Sequence, residues 1–445
     1  MVECDNYFAP CRSVRGYFMA EQMGKPQTGR KVTCMPNPSR DPMPSQNKNY
    51  KWYILTLLVL TNMLVVAIPA MGMSVLSKEI SQDLGLNLVQ VGIVWGIGAL
   101  PGIFTSLMGG VIGDKLGPKR ILVVCSLAAG LLGAARGLVP NFLSMATVVV
   151  LLGAIIPFVI MNGLKTIGQW FPPAQLGLAN GLISMGMALG FFLGSLFSAT
   201  VLSPLLGGWR NVFMAYGLAG ALLSIPWLFT RTLPLSHHLN GQSLSIRKAI
   251  HHISSLKAIW LLGLTLFGVG GCIQGLLGYL PLYLRSIGWD TNQASGALSA
   301  FHISSMTFVL PIALWSDRLR SRKRLLFIAA SLVALGAGAL SFTSGSLVWV
   351  AVLMAGFVRD AFMAIFLTMV IETKGVGPTY AGTATGITLT ISSLGSVLAP
   401  PLGNGLAVFW PGAPFAFWAA CAVFGLVCLS FVKSENRHEA VIVLP

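Results

Sequence analysis

The sequence predicts an all-α polytopic membrane protein: twelve transmembrane helices in two six-helix pseudo-repeats around a central cavity. Three observations carry this prediction. Of 445 residues, 55% are hydrophobic and only 9% charged. A soluble domain carries about 25% charged residues, so too little polar surface exists here to cover a water-soluble globule. The apolar runs are about 20 residues long, the helical length that crosses ~30 Å of hydrocarbon. The alternating strands of roughly ten residues that mark a membrane barrel do not occur. Finally, one charged turn occurs twice, at residues 110–120 and 313–324, each time between apolar runs.

Residues 1–50 are polar and rich in Pro, Ser, Asn and basic side chains. They hold no apolar signal-peptide core and are expected to be a disordered basic cytoplasmic tail. Met43 is a second candidate start. The first half then occupies 51–230. Span 1 is placed at 52–75, with Asn62 a lone polar residue. Span 2, at 91–113, opens after Gln90. Span 3, at 121–139, follows the charged turn and holds Arg136, expected to snorkel from its outer end. Span 4, at 143–164, starts after the short Pro140-Asn141-Phe142 turn and carries Asn162. Span 5, at 178–203, is Gly-rich, and span 6 lies at 210–230.

Residues 231–257 form the longest internal loop. With His237, His238, His251 and His252 they read as a solvated cytoplasmic linker between halves. The second half, 258–432, holds span 7 (258–284, with Gln274 and Tyr279) and span 8 (292–315, with His302 beside Ser304 and Ser305). Spans 9, 10, 11 and 12 follow at 325–343, 347–371, 381–404 and 411–432, and a tail at 433–445. Short turns such as 343–345 force antiparallel neighbours. Small residues inside the spans let helices approach closely, and neighbouring helices satisfy the backbone groups that Pro frees.

The net charge of +16 is a topology signal and not a nucleic-acid footprint. One set of loops holds Lys115, Lys119, Arg120, Lys165, Arg231, Arg247, Lys248, Lys257, Arg318, Arg320, Arg322, Lys323, Arg324 and Lys374. The opposite loops hold only Lys78, Arg210 and Arg285. The positive-inside rule therefore places both termini in the cytoplasm of a multi-pass plasma or inner membrane protein. The seven cysteines show no metal-ligand spacing, so no metal is expected. Those in the spans read as small packing residues.

The halves align on themselves. Asp114 matches Asp317 at an offset of 203, as do Gln90 and Gln293, and Leu84-Gly85 and Ile287-Gly288. Pro173, Gly177, Gly181 and Gly190 match Pro378, Gly382, Gly386 and Gly395 at 205. Repeats with an even number of spans are parallel, related by an axis along the membrane normal. The cavity between such halves is a typical substrate site.

Gly110-x-x-x-Asp114-Lys115-x-Gly117-x-Lys119-Arg120 resembles the signature between the second and third helices of the major facilitator superfamily. Asp317-Arg318, with Arg322, resembles its degenerate copy between helices 8 and 9. The likeness spans residues 52–432. It implies alternating access, with these charged turns holding the halves together on the cytoplasmic side when the cavity faces out. It also implies that helices 1, 4, 7 and 10 line the cavity. Gln169-Trp-Phe-Pro-Pro173, followed by Gly177, Asn180, Gly181, Gly186 and Gly190, resembles anion-transporting branches: cyanate-type transporters, nitrate/nitrite porters and organic-anion symporters. Span 2 lacks the arginine of nitrate porters, and span 8 carries His302 in place of one.

A charge at membrane depth is costly and marks function. Arg359 and Asp360 lie midway along span 10. Adjacent helical residues point about 100° apart, so the two are not expected to pair ideally with each other. Arg359 is the candidate anion ligand, because a guanidinium grips a carboxylate or planar oxyanion bidentately. Asp360 is a candidate for orienting it or carrying a coupling proton. Lys165 and Glu372 end spans 4 and 10 and are expected to pair with the charged turns, Glu372 with Arg318. His302, Asn62, Asn162, Gln274 and Tyr279 complete the candidate polar contacts.

The function expected is secondary active transport of a small anionic solute, a carboxylate or small inorganic anion, coupled to a proton or a counter-anion. The chain is expected to act as a monomer without a cofactor, in a lipid bilayer and without nucleic acid. No GxxxxGK[ST], GxSxG or HExxH motif occurs, which argues against ATP drive in this chain and against an enzyme. A neutral- or cationic-solute exporter and a transporter-like membrane sensor are the alternatives. All acids of the first half lie in tails or loops, which favours an anion.

Overall fold

In the computed structural model, residues 49–231, 246–318 and 322–432 are described. The expected tails, most of the linker and residues 319–321 lie outside them. Every regular element among the described residues is a helix. Eleven stretches are long and apolar enough to cross a membrane. The helix Thr291–Arg318, 28 residues long, stands where span 8 was expected. Spans 4 and 7 run past the ends of their apolar runs because the helix continues through the polar end residues. Span 4 is Phe142–Trp170 and span 7 is Lys257–Ser286.

Six spans are not uniform α-helix: span 3 ends in a 3-10 turn, Arg136–Leu138, span 6 is divided into Trp209–Leu222 and Ser224–Leu228, and four others depart further. Span 1 runs Tyr50–Thr61, then a π-helical stretch Asn62–Ala67, then Ile68–Val75. Span 5 carries a second π stretch, Ser198–Leu202. Span 2 is divided into Leu88–Gly96 and Ala99–Leu116, and span 10 into Leu347–Gly356 and Arg359–Glu372. Two short helices escaped the hydropathy reading because they are polar and amphipathic. Ser77–Leu84 follows span 1 and buries Ser77 and Ile80. Ile246–Ser254, inside the presumed linker, buries Ala249 and Ile253. Its His252 lies 2.9 Å from the Gly375 carbonyl and stacks on Tyr380 at 4.7 Å, so this part of the linker is docked.

The internal repeat has a physical basis in two matched helix starts. Asn87 Oδ1 accepts from the Gln90 amide at 2.9 Å, while Gln90 Oε1 accepts from the Asn87 amide at 3.0 Å. Two hundred and three residues later, Asp290 Oδ1 accepts from the Gln293 amide at 2.7 Å. Each is a side-chain cap satisfying amides that the first helical turn leaves without a partner. The preceding helices end on Gly85 (φ +62°) and Gly288 (φ +96°), both in the left-handed region that favours glycine.

Packing obeys the same symmetry. Span 3 packs on span 6, and span 9 on span 12. Across the halves, span 2 meets span 11 and span 8 meets span 5. These two junctions are equivalent under the repeat.

Both ends of the membrane region lie on one side, called here the tail side. At the far side the halves are sealed together. Trp95 Nε1 donates to Gln274 O at 2.7 Å, Asn404 Nδ2 to Leu88 O at 3.0 Å, and Lys78 Nζ to Arg285 O at 3.3 Å. Ser74 donates to Leu277 O, and Glu79 faces Arg285 at 3.7 Å. The helices touch closely there: a Cβ on Gly96 would stand 2.7 Å from the Ser396 carbonyl, and one on Gly92 2.7 Å from Pro401. Small residues make such an approach possible.

Candidate functional site

Span 10 breaks at its centre. Gly356 packs against the backbone of Phe301 in span 8, and Val358 leaves helical geometry at φ −113°, ψ 0°. A new helix begins at Arg359. Asp360 therefore sits in a first helical turn, where a carboxylate is favoured by the helix dipole. Its own amide donates to Ser305 Oγ at 3.0 Å, and Ser305 Oγ donates back to Asp360 Oδ2 at 2.8 Å. That exchange ties span 10 to span 8.

The break corrects one expectation. Arg359 and Asp360 do pair, Nη1 to Oδ1 at 2.9 Å. The 100° separation holds for side chains leaving a helix straight, and the long arginine at the helix start folds back over it. The pair is part-exposed, the side chains 21% and 29% accessible. Arg359 also lies over the ring of Phe191 at 5.3 Å, a cation–π contact. The same ring stacks on His302 at 5.4 Å. Phe191 belongs to span 5 in the first half; His302 and Arg359 belong to the second. His302 Nε2 lies 3.1 Å from Met71 Sδ of span 1. Spans 1, 5, 8 and 10 thus converge at mid-depth around one guanidinium, one carboxylate, one imidazole and one hydroxyl. Of the polar candidates, Arg359, Asp360 and His302 meet here.

The others do not join them. Asn62 is buried at the start of the π stretch, with Nδ2 donating to Leu58 O at 2.9 Å. Asn162 is fully buried, donates to Phe158 O at 2.9 Å, and fills the room left by Gly113 of span 2. Gln274 is half-buried, and its carbonyl serves the far-side seal. Tyr279 donates to Pro411 O at 3.1 Å and is enclosed by Tyr283, Phe415 and Trp418. These contacts pack it between spans 7 and 12, away from the Arg359 cluster. Arg136 does not snorkel. It is 6% exposed and stacks 4.3 Å over Phe213, because span 6 covers it.

Around the charged turns, the first helix runs through Gly110 and Asp114 to Leu116, and Gly117 (φ +85°) breaks it one residue before Pro118. The turn is therefore shorter than the 110–120 stretch and begins after Asp114. Lys115 and Arg120 are exposed, and Lys119 Nζ donates to Thr230 O at 2.5 Å. Lys165 is half-buried at the tail-side end of span 4. Glu372 pairs with Arg322 of the expected turn at 2.9 Å; the side chain of Arg318, the partner expected, is not among those described. The side chains of Asp114, Asp317 and Arg318 lie outside the described residues.

Sequence reasoning missed Phe191 and Met71. An apolar residue in an apolar span carries no signal. The break in span 10 had a faint one: Gly356 followed by two charged residues inside a hydrophobic run.

Against known proteins, the sequence model of a family described as the Major Facilitator Superfamily matches residues 55–400. A 3-(3-hydroxy-phenyl)propionate transporter of Escherichia coli is 28% identical over 368 residues, covering 78% of this chain and 87% of that protein. A gallate transporter of Pseudomonas putida is 26% identical over 413 residues, covering 83% and 88%. Among solved structures, a bacterial homologue of the human lysosomal transporter Spinster, inward-facing and unoccupied, superposes with a TM-score of 0.72. It is 17% identical and covers 87% of this chain and 97% of that one.

Proposed function

The chain belongs to the major facilitator superfamily, and from that premise we propose that it moves a small anionic solute, foremost an organic carboxylate, by alternating access. That it is a multi-pass membrane protein of a transporter family, and not of an enzyme family, follows from the same match. The observation that carries the anion is Arg359. It is the guanidinium at the middle of span 10, it begins a half-helix whose N-terminal end is itself positive, and it touches Phe191 of the opposite half. A group gripped by both halves at mid-depth is suited to sense which half has moved. The two relatives named for transport of gallate and of 3-(3-hydroxy-phenyl)propionate, both aromatic carboxylates, support the same charge.

In this proposal a substrate carboxylate takes the place of Asp360 on Arg359. Asp360, thereby released, and His302 are the groups available to hold a coupling proton. In this reading the tail side is the cytoplasmic one, from the excess of Lys and Arg in its loops, the sealed far side corresponds to an inward-facing state, and the carrier works as a monomer. Uptake of labelled aromatic and aliphatic carboxylates, nitrate, a neutral sugar and an organic cation into proteoliposomes, with and without a pH gradient, tests it. Saturable carboxylate flux is expected. Flux of the sugar or cation alone would overturn the anion, and binding without flux of any solute would favour a sensor.

A further inference from the structure

One cavity shares no lining residue with the Arg359 cluster. It lies on the tail side inside the first half, beneath the charged turn, with a volume of about 350 Å³. That is more than tenfold the ~30 Å³ share of one liquid water, enough for a phosphate with a glycerol-sized stem. Four cations line it: Lys115, Lys119 and Arg120 from the turn, and Arg231 just after span 6. Trp170 of span 4 and Trp227 of span 6, both buried, form apolar wall. No carboxylate is among the described lining residues. One acid, Asp114, precedes the turn in sequence.

Several cations gathered at one concavity repel one another and focus a positive potential on it. Two further donors point the same way. Span 3 starts at Pro118, so the amides of Lys119 and Arg120 fall in a first turn that has no intrahelical acceptor, at the positive end of the helix dipole. The cations are also held in place. Lys119 Nζ is anchored on Thr230 O at 2.5 Å. Arg231 lies 5.3 Å over the Tyr50 ring, and its amide donates to the Tyr50 hydroxyl at 2.7 Å.

We propose that this cavity binds a phosphate ester, with Arg231, Lys119, Lys115 and Arg120 on its oxygens and Trp170 and Trp227 against its carbon stem. A phosphate ester brings three acceptor oxygens and a charge of about −1.5 to −2 to several cations, against two oxygens and one charge for a carboxylate. Two sources supply this chemistry: an anionic phospholipid headgroup of the tail-side leaflet, or a soluble phosphorylated metabolite. Bound there, the ester fastens residues 115–120 to spans 4 and 6 of their own half and stiffens the turn.

The test is thermal melting of the full chain in zwitterionic detergent, titrated with glycerol 3-phosphate, with dihexanoyl phosphatidylglycerol, and with sodium chloride at matched ionic strength. A saturable rise with the phosphates but not with chloride is expected. Arg231→Gln should weaken the apparent affinity by about tenfold or more, the loss of one charge-assisted hydrogen bond, while Arg231→Lys retains part of it. Saturation by the lipid alone assigns a headgroup; saturation by glycerol 3-phosphate as well assigns a soluble ester. Arg120→Gln, at an exposed position, is the second variant should Arg231→Gln not fold. A shift that never saturates, that chloride reproduces, or that survives both substitutions overturns the site. The readout is independent of transport, so it stands or falls separately from the carrier function.

Discussion

Arg359 and Asp360 share one ion pair, so neither can be tested alone. Removing one member of a buried pair leaves an uncompensated charge and costs about 3–5 kcal/mol; this pair is part-exposed, so the cost here is smaller. A single alanine variant therefore mixes folding with function. Arg359→Lys separates them, because it keeps the charge and loses the bidentate fork. We expect uptake to fall at least about tenfold, the equivalent of ~1.4 kcal/mol, with the melting temperature within a few degrees of the parent. The double variant Arg359→Gln/Asp360→Asn removes both charges without leaving either unpaired. It should fold and express while remaining inactive. Recovery of transport in that double variant would mean that the pair is structural and that the solute is held elsewhere.

At the scale of elements, the repeat predicts that matched caps carry matched energies. Asn87→Ala and Asp290→Ala each remove an acceptor from the first turn of spans 2 and 8. Each should cost about 1 kcal/mol, read as similar small drops in melting temperature. A large drop from one and none from the other would show that the two starts have diverged in role. These caps also mark how far the sequence could be read. Gln90 and Gln293 stood out as a pair because a helix start needs particular polar atoms at fixed spacing. The span boundaries were legible from the length of hydrocarbon to be crossed. The π stretches at Asn62 and Ser198 and the breaks at Ile97–Gly98 and Phe357–Val358 were not, since apolar residues fit a broken membrane helix as well as an intact one. Of the candidate site, charge was legible and company was not. Arg359, Asp360 and His302 stand out as rare polar groups in lipid, whereas Phe191, which joins them across the halves, looks like any other apolar residue. Tyr279 shows the converse: a polar tip in an apolar run is satisfied by a neighbouring carbonyl as readily as by a solute.

The whole molecule is a balance between two closures, and the structure shows one of them. The far side is clasped by Glu79 and Arg285, Lys78 and the Arg285 carbonyl, Trp95 and the Gln274 carbonyl. We propose that the opposite closure is made by Asp114 and its basic neighbours, as the resemblance of their turn to the family signature implies. If so, the two clasps are competitors in one two-state equilibrium, and weakening either must shift the population toward the other state. Arg285→Gln should raise the labelling, by an impermeant maleimide added from the far side, of a cysteine introduced at Met73 behind the seal. Asp114→Asn should lower it. The part-exposed Glu79–Arg285 pair, 3.7 Å apart, is worth up to about 1 kcal/mol, a shift of up to roughly fivefold in the ratio of states. The two sites sit at opposite ends of the spans, far beyond the ~10 Å within which substitutions couple, so their effects should add. The Arg285→Gln/Asp114→Asn chain should accordingly label at a rate between those of the two single variants. If Asp114→Asn left labelling unchanged both alone and in that combination, residues 110–120 would be a marker of topology, and the tail-side closure would have to be sought among other groups.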